Sequence, residues 1–363
     1  MGVLDVLCYA FYIVVFFQVI VYLFFYGRFA FSKQKRASEK TVLPPTSVIV
    51  YAKNQADLLQ TNLPQIISQH YPEFEIVLVN NHSTDQTLEV MEQFKLQYPN
   101  SLKIVNVKNN EAFWGSKKYA LTLGIKAAKY EHLLFTESNC MPASKNWIRE
   151  MSSLFNKKKE IVLGLKTYPK VKVSFFNKLL RYDNLADSVT SFSFAKSGNP
   201  IKGNSENLAY TKSVFFRVNG FINHIKLPYG EANLFVNQVG DKKNTAICTM
   251  PNGFTQTKTI PYSTWKQEKQ QQLKTAKRYK ASHKIFLVGQ HILQLLFWVL
   301  AATLLGFMFN WPIVLALFLF RIAVQFTVVG LSAKKLDQLD VLFILPFLEL
   351  FLLLTQITIF IRR

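Results

Sequence analysis

"TSVIVYAKNQADLLQTNLPQIISQHYPEFEIVLVNNHSTDQT", Thr46 to Thr87, decides the fold. It opens on a near-continuous apolar run that ends in Lys53 and Asn54. A strand buried on both faces reads in this way, without alternation. "ADLLQTNLPQIISQHYP" then shows helical spacing and stops at Pro72. "FEIVLVNNHSTDQT" is a second apolar strand with a polar end. Downstream, "LEVMEQFKLQYP" reads as a helix, "LKIVNVKN" as a strand, "KKYALTLGIKAAKYE" as a helix and "HLLFTESN" as a fourth strand. This alternation predicts an α/β domain with a mostly parallel, Rossmann-like sheet covered on both faces. Ligands of such sheets bind beyond the strand C-terminal ends. The polar groups collect there: Lys53 and Asn54; Asn80, Asn81 and Asp85; Glu137, Ser138 and Asn139.

Outward from this domain the chain turns apolar. Residues 1–31 form an apolar stretch followed by "SKQKR". Its length favours an uncleaved membrane anchor over a signal peptide, and its basic flank places the next domain in the cytoplasm. Residues 45–280 are of soluble type. Residues 283–361 hold about three hydrophobic helices: "IFLVGQHILQLLFWVLAATLLGFMF", then "IVLALFLFRIAVQFTVVGLSA" after a turn at "NWP", then "VLFILPFLELFLLLTQITIFI". One plus three spans would put "IRR", Ile361 to Arg363, on the far side, against the positive-inside trend. "HKIFLVGQH" is therefore the candidate for an interfacial segment. Arg321 lies mid-span and Glu349 lies inside the next span. Neither is stable alone in hydrocarbon, so an interhelical Arg321–Glu349 pair is expected, with Gln294, Gln325 and Gln356 adding polar contacts.

Bulk composition narrows the partners. The 363 residues are 50% hydrophobic and carry 43 Lys and Arg against 22 Asp and Glu, a net charge of +21. That charge suits anionic membrane lipid or an anionic ligand. No aromatic-basic motif points to nucleic acid. Cys8, Cys140 and Cys248 are far apart, which gives neither a metal-ligand spacing nor a disulfide framework.

Four ordered segments carry a family resemblance. "SVIVYAKN…LPQIISQHYPEFEIVLVNNHSTDQT", "GSKKYALTLGIKAAKYEHLLFTESNCMPASKNWIREM", "GNSENLAYTKSVFFRVNGF" and "STWKQEKQQQLKTAKRY" resemble family-2 glycosyltransferases of the glycosyltransferase-A fold. The layout of spans is similar to ceramide glucosyltransferase-like membrane enzymes. The resemblance implies sugar transfer from a nucleotide diphosphate sugar to a lipid-linked or membrane-proximal acceptor, of the hexosyltransferase type and inverting. It implies a carboxylate base and a divalent cation, Mg²⁺ or Mn²⁺.

Against that pattern the motifs are depleted. Asn80 and Asn81 stand where aspartates contact base and ribose, and an amide still hydrogen-bonds there. Asp85 matches the family, yet also suits a helix cap. Glu137-Ser138-Asn139 occupies the D-x-D position, so Glu137 and Asn139 are the metal candidates and Asn139 offers only a neutral carbonyl. Ser138 joins Lys53, Asn54, Asn80, Asn81 and Lys118 as nucleotide contacts. Lys117 and Lys118 resemble a basic pair near the donor phosphates, or are solvated helix lysines. Glu231 is the candidate base, or an exposed loop glutamate; the usual base position carries Ala232. In "QEKQQQ" the Q-x-x-R-W arginine position is Gln271, and Lys269 is the substitute cation toward the donor phosphate. The same helix also reads as an amphipathic surface helix, with Trp265 and Tyr279 at the membrane boundary.

Two functions follow. One is a membrane glycosyltransferase. The other is an inactive, glycosyltransferase-like scaffold or ligand-binding subunit, working with a partner membrane protein. Glu137 and Glu231 facing one open pocket supports the first. A pocket filled by Phe113 or Trp114 supports the second.

Overall fold

A computed structural model describes residues 2–33, 42–108 and 116–361. The chain divides into two compact units. One comprises residues 34–169 and 198–260, and the other residues 1–33, 170–197 and 261–363. Residues 170–197 and 261–280, read from the sequence as part of the soluble domain, thus group with the hydrophobic helices.

The first unit holds the sheet. Its strands are β1 (Thr46–Ala52), β2 (Phe74–Asn81), β3 (Leu102–Val107), β4 (His132–Glu137), β5 (Cys140–Pro142), β6 (Ile161–Leu163), β7 (Lys166–Thr167), β8 (Leu208–Thr211), β9 (Thr245–Ile247) and β10 (Thr255–Thr257). Seven form one sheet in the order β3-β2-β1-β4-β8-β6-β9, and β5-β10-β7 form a second. β1 runs parallel to both β2 and β4. The apolar reading of β1 has its cause here. Val48, Ile49 and Val50 are fully buried because helices cover both faces of a central parallel strand. Register then sets chemistry: Ala52 lies opposite Asn80, and Tyr51 opposite Glu137.

Helices Ala56–Ile67, Thr87–Gln97 and Lys117–Ala127 follow β1, β2 and β3 in the chain. Leu59, Leu63 and Ile66 recur at three- and four-residue spacing and are buried. Gly124 lets the third helix sit close on β2, since a Cβ there would stand 2.6 Å from the Val79 side chain. Trp147 is fully buried and its indole N–H donates to Asn207 Oδ1 at 3.0 Å. Asn207 Nδ2 in turn donates to the Leu165 and Gly253 carbonyls, so one side chain ties three segments together.

Among the described residues the second unit holds four helices long and apolar enough to cross a membrane: Val3–Ala30, Ala281–Gly306, Trp311–Lys335 and Leu339–Ile359. The segment "HKIFLVGQH" is continuous with the rest of Ala281–Gly306 and does not form a separate helix. "NWP" does make a turn, with Met308 and Asn310 at positive φ before the next helix begins at Trp311. Phe297 stacks between Phe11 and Phe318.

The expected interhelical pair is present and bidentate. Arg321 reaches Glu349 at 2.8 and 3.0 Å. Gln18, Gln325 and Tyr22 also accept from Arg321, and Gln294 and Tyr22 donate to Glu349, so protein groups surround both ions. Gln356 meets His291 at 2.9 Å. Tyr22 lies in a π-helical turn, Val21–Tyr26, that interrupts the first helix. The cysteines at positions 8, 140 and 248 are all free and buried.

Two further helices, Phe175–Lys196 and Tyr262–Ala276, complete this unit. Trp265 and Tyr279 were expected at a membrane boundary. Both are buried, and Trp265 donates to Asp183 at 2.8 Å. Lys269 is buried as well and pairs with the same carboxylate at 2.6 Å. Burial alone lowers the Lys269 pKa, but Asp183 more than offsets it and the ammonium is held above its ordinary value. Its charge is committed to that pair, in the unit that does not hold the sheet. Gln271 is exposed, and its carbonyl accepts from Thr275.

Candidate active site

The ends of β1, β2 and β4 deliver polar side chains, as the sequence predicts. Most are occupied with one another. Asn54 adopts a left-handed conformation, φ 53°. Its amide N–H donates to Ser83 Oγ at 3.0 Å, and its Oδ1 accepts from the Thr84 N–H at 2.8 Å. Asn80 donates to Asn106 at 2.9 Å and accepts from the Ser83 N–H at 3.3 Å. Asn81 donates to the Tyr51 hydroxyl at 2.8 Å. Asp85 accepts from Thr87 and from the Ala56 N–H, the first residue of another helix. Asp85 is thus a cap and a clamp between the loops after β1 and β2. Lys53 is exposed beside them.

Ser138 is buried. Its hydroxyl donates to Gln55 at 2.6 Å, and its carbonyl accepts from Asn62 at 2.8 Å. Asn139 Oδ1 accepts from the Cys140 thiol at 3.2 Å. Asn139 Oδ1 is thus engaged by Cys140, while Glu137 has other partners.

Those partners make the site. Lys117, the first residue of its helix, places its ammonium 2.5 Å from Glu137 Oε1 and 2.5 Å from Glu231 Oε1. The Ser205 hydroxyl lies 3.0 Å from both Glu137 and Glu206 and shares its one proton between them. Glu206 pairs with Lys166 at 2.6 Å. Three carboxylates and two ammoniums thus form one connected cluster. Tyr51, Lys117, Glu137, Ser205, Glu231 and Phe221 line a shared cleft whose interior space is about 20 Å³, with Lys117 lying across it. Sequence reading placed Lys117 only as one of a pair, and it passed over Ser205 and Glu206. The available signal was the polar run "GNSEN" just before an apolar strand.

Burial and charge oppose each other at these groups. Burial would lower the Lys117 pKa, but Glu137 and Glu231 hold the ammonium well above its usual value. Burial would raise Glu231, and Lys117 pulls it below the usual carboxylate range. Glu206 is lowered in the same way by Lys166. Glu231 owes its position to Gly230, which takes φ 81° and starts the helix Glu231–Val239. The expectation of an exposed loop glutamate does not hold: Glu231 is buried at a helix start.

Lys118 points elsewhere. Its ammonium donates to the His224 and Leu227 carbonyls at 2.7 and 2.8 Å. Burial pulls its pKa down to about 8. It anchors the loop leading to Gly230 and is not presented to a nucleotide.

The donor set does not suit a divalent cation. Among the described residues no group of three or more His, Cys, Asp or Glu is placed to hold one. Hard cations want several free oxygens, and here a lysine already bridges Glu137 and Glu231. Phe113 and Trp114 lie outside the described residues.

Comparison with known proteins gives the domain its relatives. Residues 47–222 match the model of Glycosyl transferase family 2. The chain carries a family 2 glycosyltransferase domain. Its sheet is the Rossmann-like glycosyltransferase-A sheet. The chain is 30% identical over 102 residues to the poly-beta-1,6-N-acetyl-D-glucosamine synthase of Staphylococcus epidermidis, covering 28% of this chain and 23% of that protein. It is 27% identical over 195 residues to the glycosyltransferase AglE of Haloferax volcanii, covering 51% of this chain and 58% of that one. The chain therefore spans less than two thirds of either relative. A mannosyltransferase from Pyrobaculum calidifontis, solved with GDP-Man and Mn²⁺, shares the fold. Its TM-score is 0.60 at 17% identity, over 92% of this chain and 99% of that one. Glu206 lies inside the family match; Glu231 lies just beyond it.

Proposed function

We propose that this glycosyltransferase domain is active and moves a sugar from a nucleotide diphosphate sugar to a lipid-linked or membrane-proximal acceptor, with inversion. The observation that carries the reading is the convergence of Glu137 and Glu231 on one cleft, from β4 and from the helix after Gly230. Glu231 acts as base. It takes the proton of the acceptor hydroxyl as that oxygen bonds to the sugar's anomeric carbon. The bond to the diphosphate breaks on the opposite face, and its electron pair leaves with the phosphate. Glu137 orients Lys117, and Ser205 holds Glu137. The rim of Asn54, Asn80 and Asn81 offers polar edges for base and ribose once its loops adjust.

The four apolar helices support membrane insertion. The basic residues after the first of them support a cytoplasmic face for the glycosyltransferase domain. The test is a screen of the detergent-solubilised protein with uridine and guanosine diphosphate sugars and polyprenyl or glycolipid acceptors. Transfer is expected from one donor, and Glu231→Gln should cost ~10² to 10⁴ in rate, the worth of a general base. A folded protein that binds a donor yet neither transfers nor hydrolyses it favours the inactive-scaffold reading.

A further inference from the structure

The charge cluster at the strand ends has an unusual centre. Glycosyl transfer from a diphosphate donor builds negative charge on the leaving phosphate, and some cation must stand near it. Divalent metal is one solution. In this chain the position between Glu137 and Glu231 is taken by an ammonium. Lys117 Nζ sits 2.5 Å from each carboxylate, and its side chain is only 19% exposed. Asn139, the other expected metal ligand, is neutral and faces Cys140. Lys166 adds a second ammonium, reached from Glu137 through Ser205 and Glu206. A divalent ion entering between Glu137 and Glu231 would have to expel Lys117 or lie against it.

We propose, resting on the transferase reading above, that the Lys117 ammonium stands in for the divalent cation, so that donor diphosphate binds and leaves without metal. Glu137 and Glu231 hold the ammonium at the cleft. As the sugar–phosphate bond breaks, the departing electron pair adds charge to the diphosphate, and Lys117 offsets it as a fixed point charge. Glu231 accepts the acceptor proton and, once neutral, no longer competes for the Lys117 ammonium, so the charge that builds on the diphosphate meets a cation with no ion added.

The experiment uses the full chain in detergent micelles. Uridine diphosphate and guanosine diphosphate are titrated calorimetrically, in EDTA and then in Mn²⁺, and Mn²⁺ binding is followed by electron paramagnetic resonance. The expected result is diphosphate binding of equal strength in both buffers and no ordered Mn²⁺ site at the cleft. Lys117→Gln should weaken binding in EDTA by about 10- to 100-fold, the worth of one charge-assisted contact, while Lys117→Arg keeps most of it. If Lys117→Gln does not fold, the EDTA and Mn²⁺ comparison on the unsubstituted protein still decides. Binding that needs Mn²⁺ overturns the inference and leaves the transferase reading standing. Unchanged affinity in a folded Lys117→Gln protein also overturns it. Failure of both diphosphates to bind in either buffer overturns the transferase reading and the inference together.

Discussion

Arg321→Met should be the most damaging single change among the apolar helices. Arg321 and Glu349 are 0% and 3% exposed. Without the guanidinium, Glu349 keeps only Tyr22 and Gln294, each at 3.3 Å. Removing one member of a buried pair costs ~3–5 kcal/mol, because the other charge is left uncompensated. Gln18 and Gln325 also lose their donor, adding about 1–3 kcal/mol each if they find no other. Protonation of Glu349 caps the total, since neutralising a carboxyl costs less than stranding its charge. A loss of ~3–5 kcal/mol is therefore expected.

The double change Arg321→Met with Glu349→Leu separates charge from packing. It removes both ions and replaces them with apolar volume, which is often neutral or better. It should recover at least ~2 kcal/mol relative to the single change. The assay is thermal unfolding in detergent, followed by tryptophan fluorescence. A double variant no more stable than Arg321→Met would refute the reasoning. So would a single variant within ~1 kcal/mol of the parent, the range of an exposed pair.

Three further outcomes test the glycosyltransferase unit. Lys118→Met orphans two carbonyls and should cost ~1–3 kcal/mol, with faster amide exchange across residues 222–230 and donor affinity unchanged. Its pH dependence has a definite sign. With the pKa pulled down to about 8, the unfolded chain holds more protons than the native one above that value. The parent protein therefore gains stability over Lys118→Met as pH rises from about 8 toward 10, and melting curves across that window check it. Glu231 is the opposite case. Its depressed pKa means ionisation is kept as pH falls through the ordinary carboxylate value of 4.5. The acid limb of kcat/KM for donor transfer should then lie below 4.5, and a limb above it would count against the Lys117 pair. Gly230→Ala forces an L side chain into φ 81°, which should cost ~1–2 kcal/mol and lower kcat more than donor affinity.

Much of the fold was legible because it rests on local patterns. Apolar runs with polar ends gave the first four strands, and helical spacing gave the helices between them. The buried Arg321–Glu349 pair was legible because an isolated charge in an apolar span demands a partner. The antiparallel β8 and the short β6 and β9 were not, because three or four residues carry too little period to stand out. The helices Phe175–Lys196 and Tyr262–Ala276 were read with the soluble domain because their surfaces are polar. Their buried contacts, Lys269 and Trp265 on Asp183, are tertiary.

The site was legible in place but not in assignment, and the reason is physical. Reading motif by motif asks which residue stands at each expected position. That finds Asn54, Asn80, Asn81 and Ser138, which the structure ties into the loop rim by hydrogen bonds among neighbours. An amide both donates and accepts, so a rim of amides satisfies itself. Carboxylates accept only and ammoniums donate only, so they must find each other across the fold. Glu137, Glu206 and Glu231 come from three separate segments and meet on Lys117 and Lys166, a convergence no spacing in the chain announces. Charge in this domain therefore collects where acceptor-only and donor-only groups are forced to share a buried cleft.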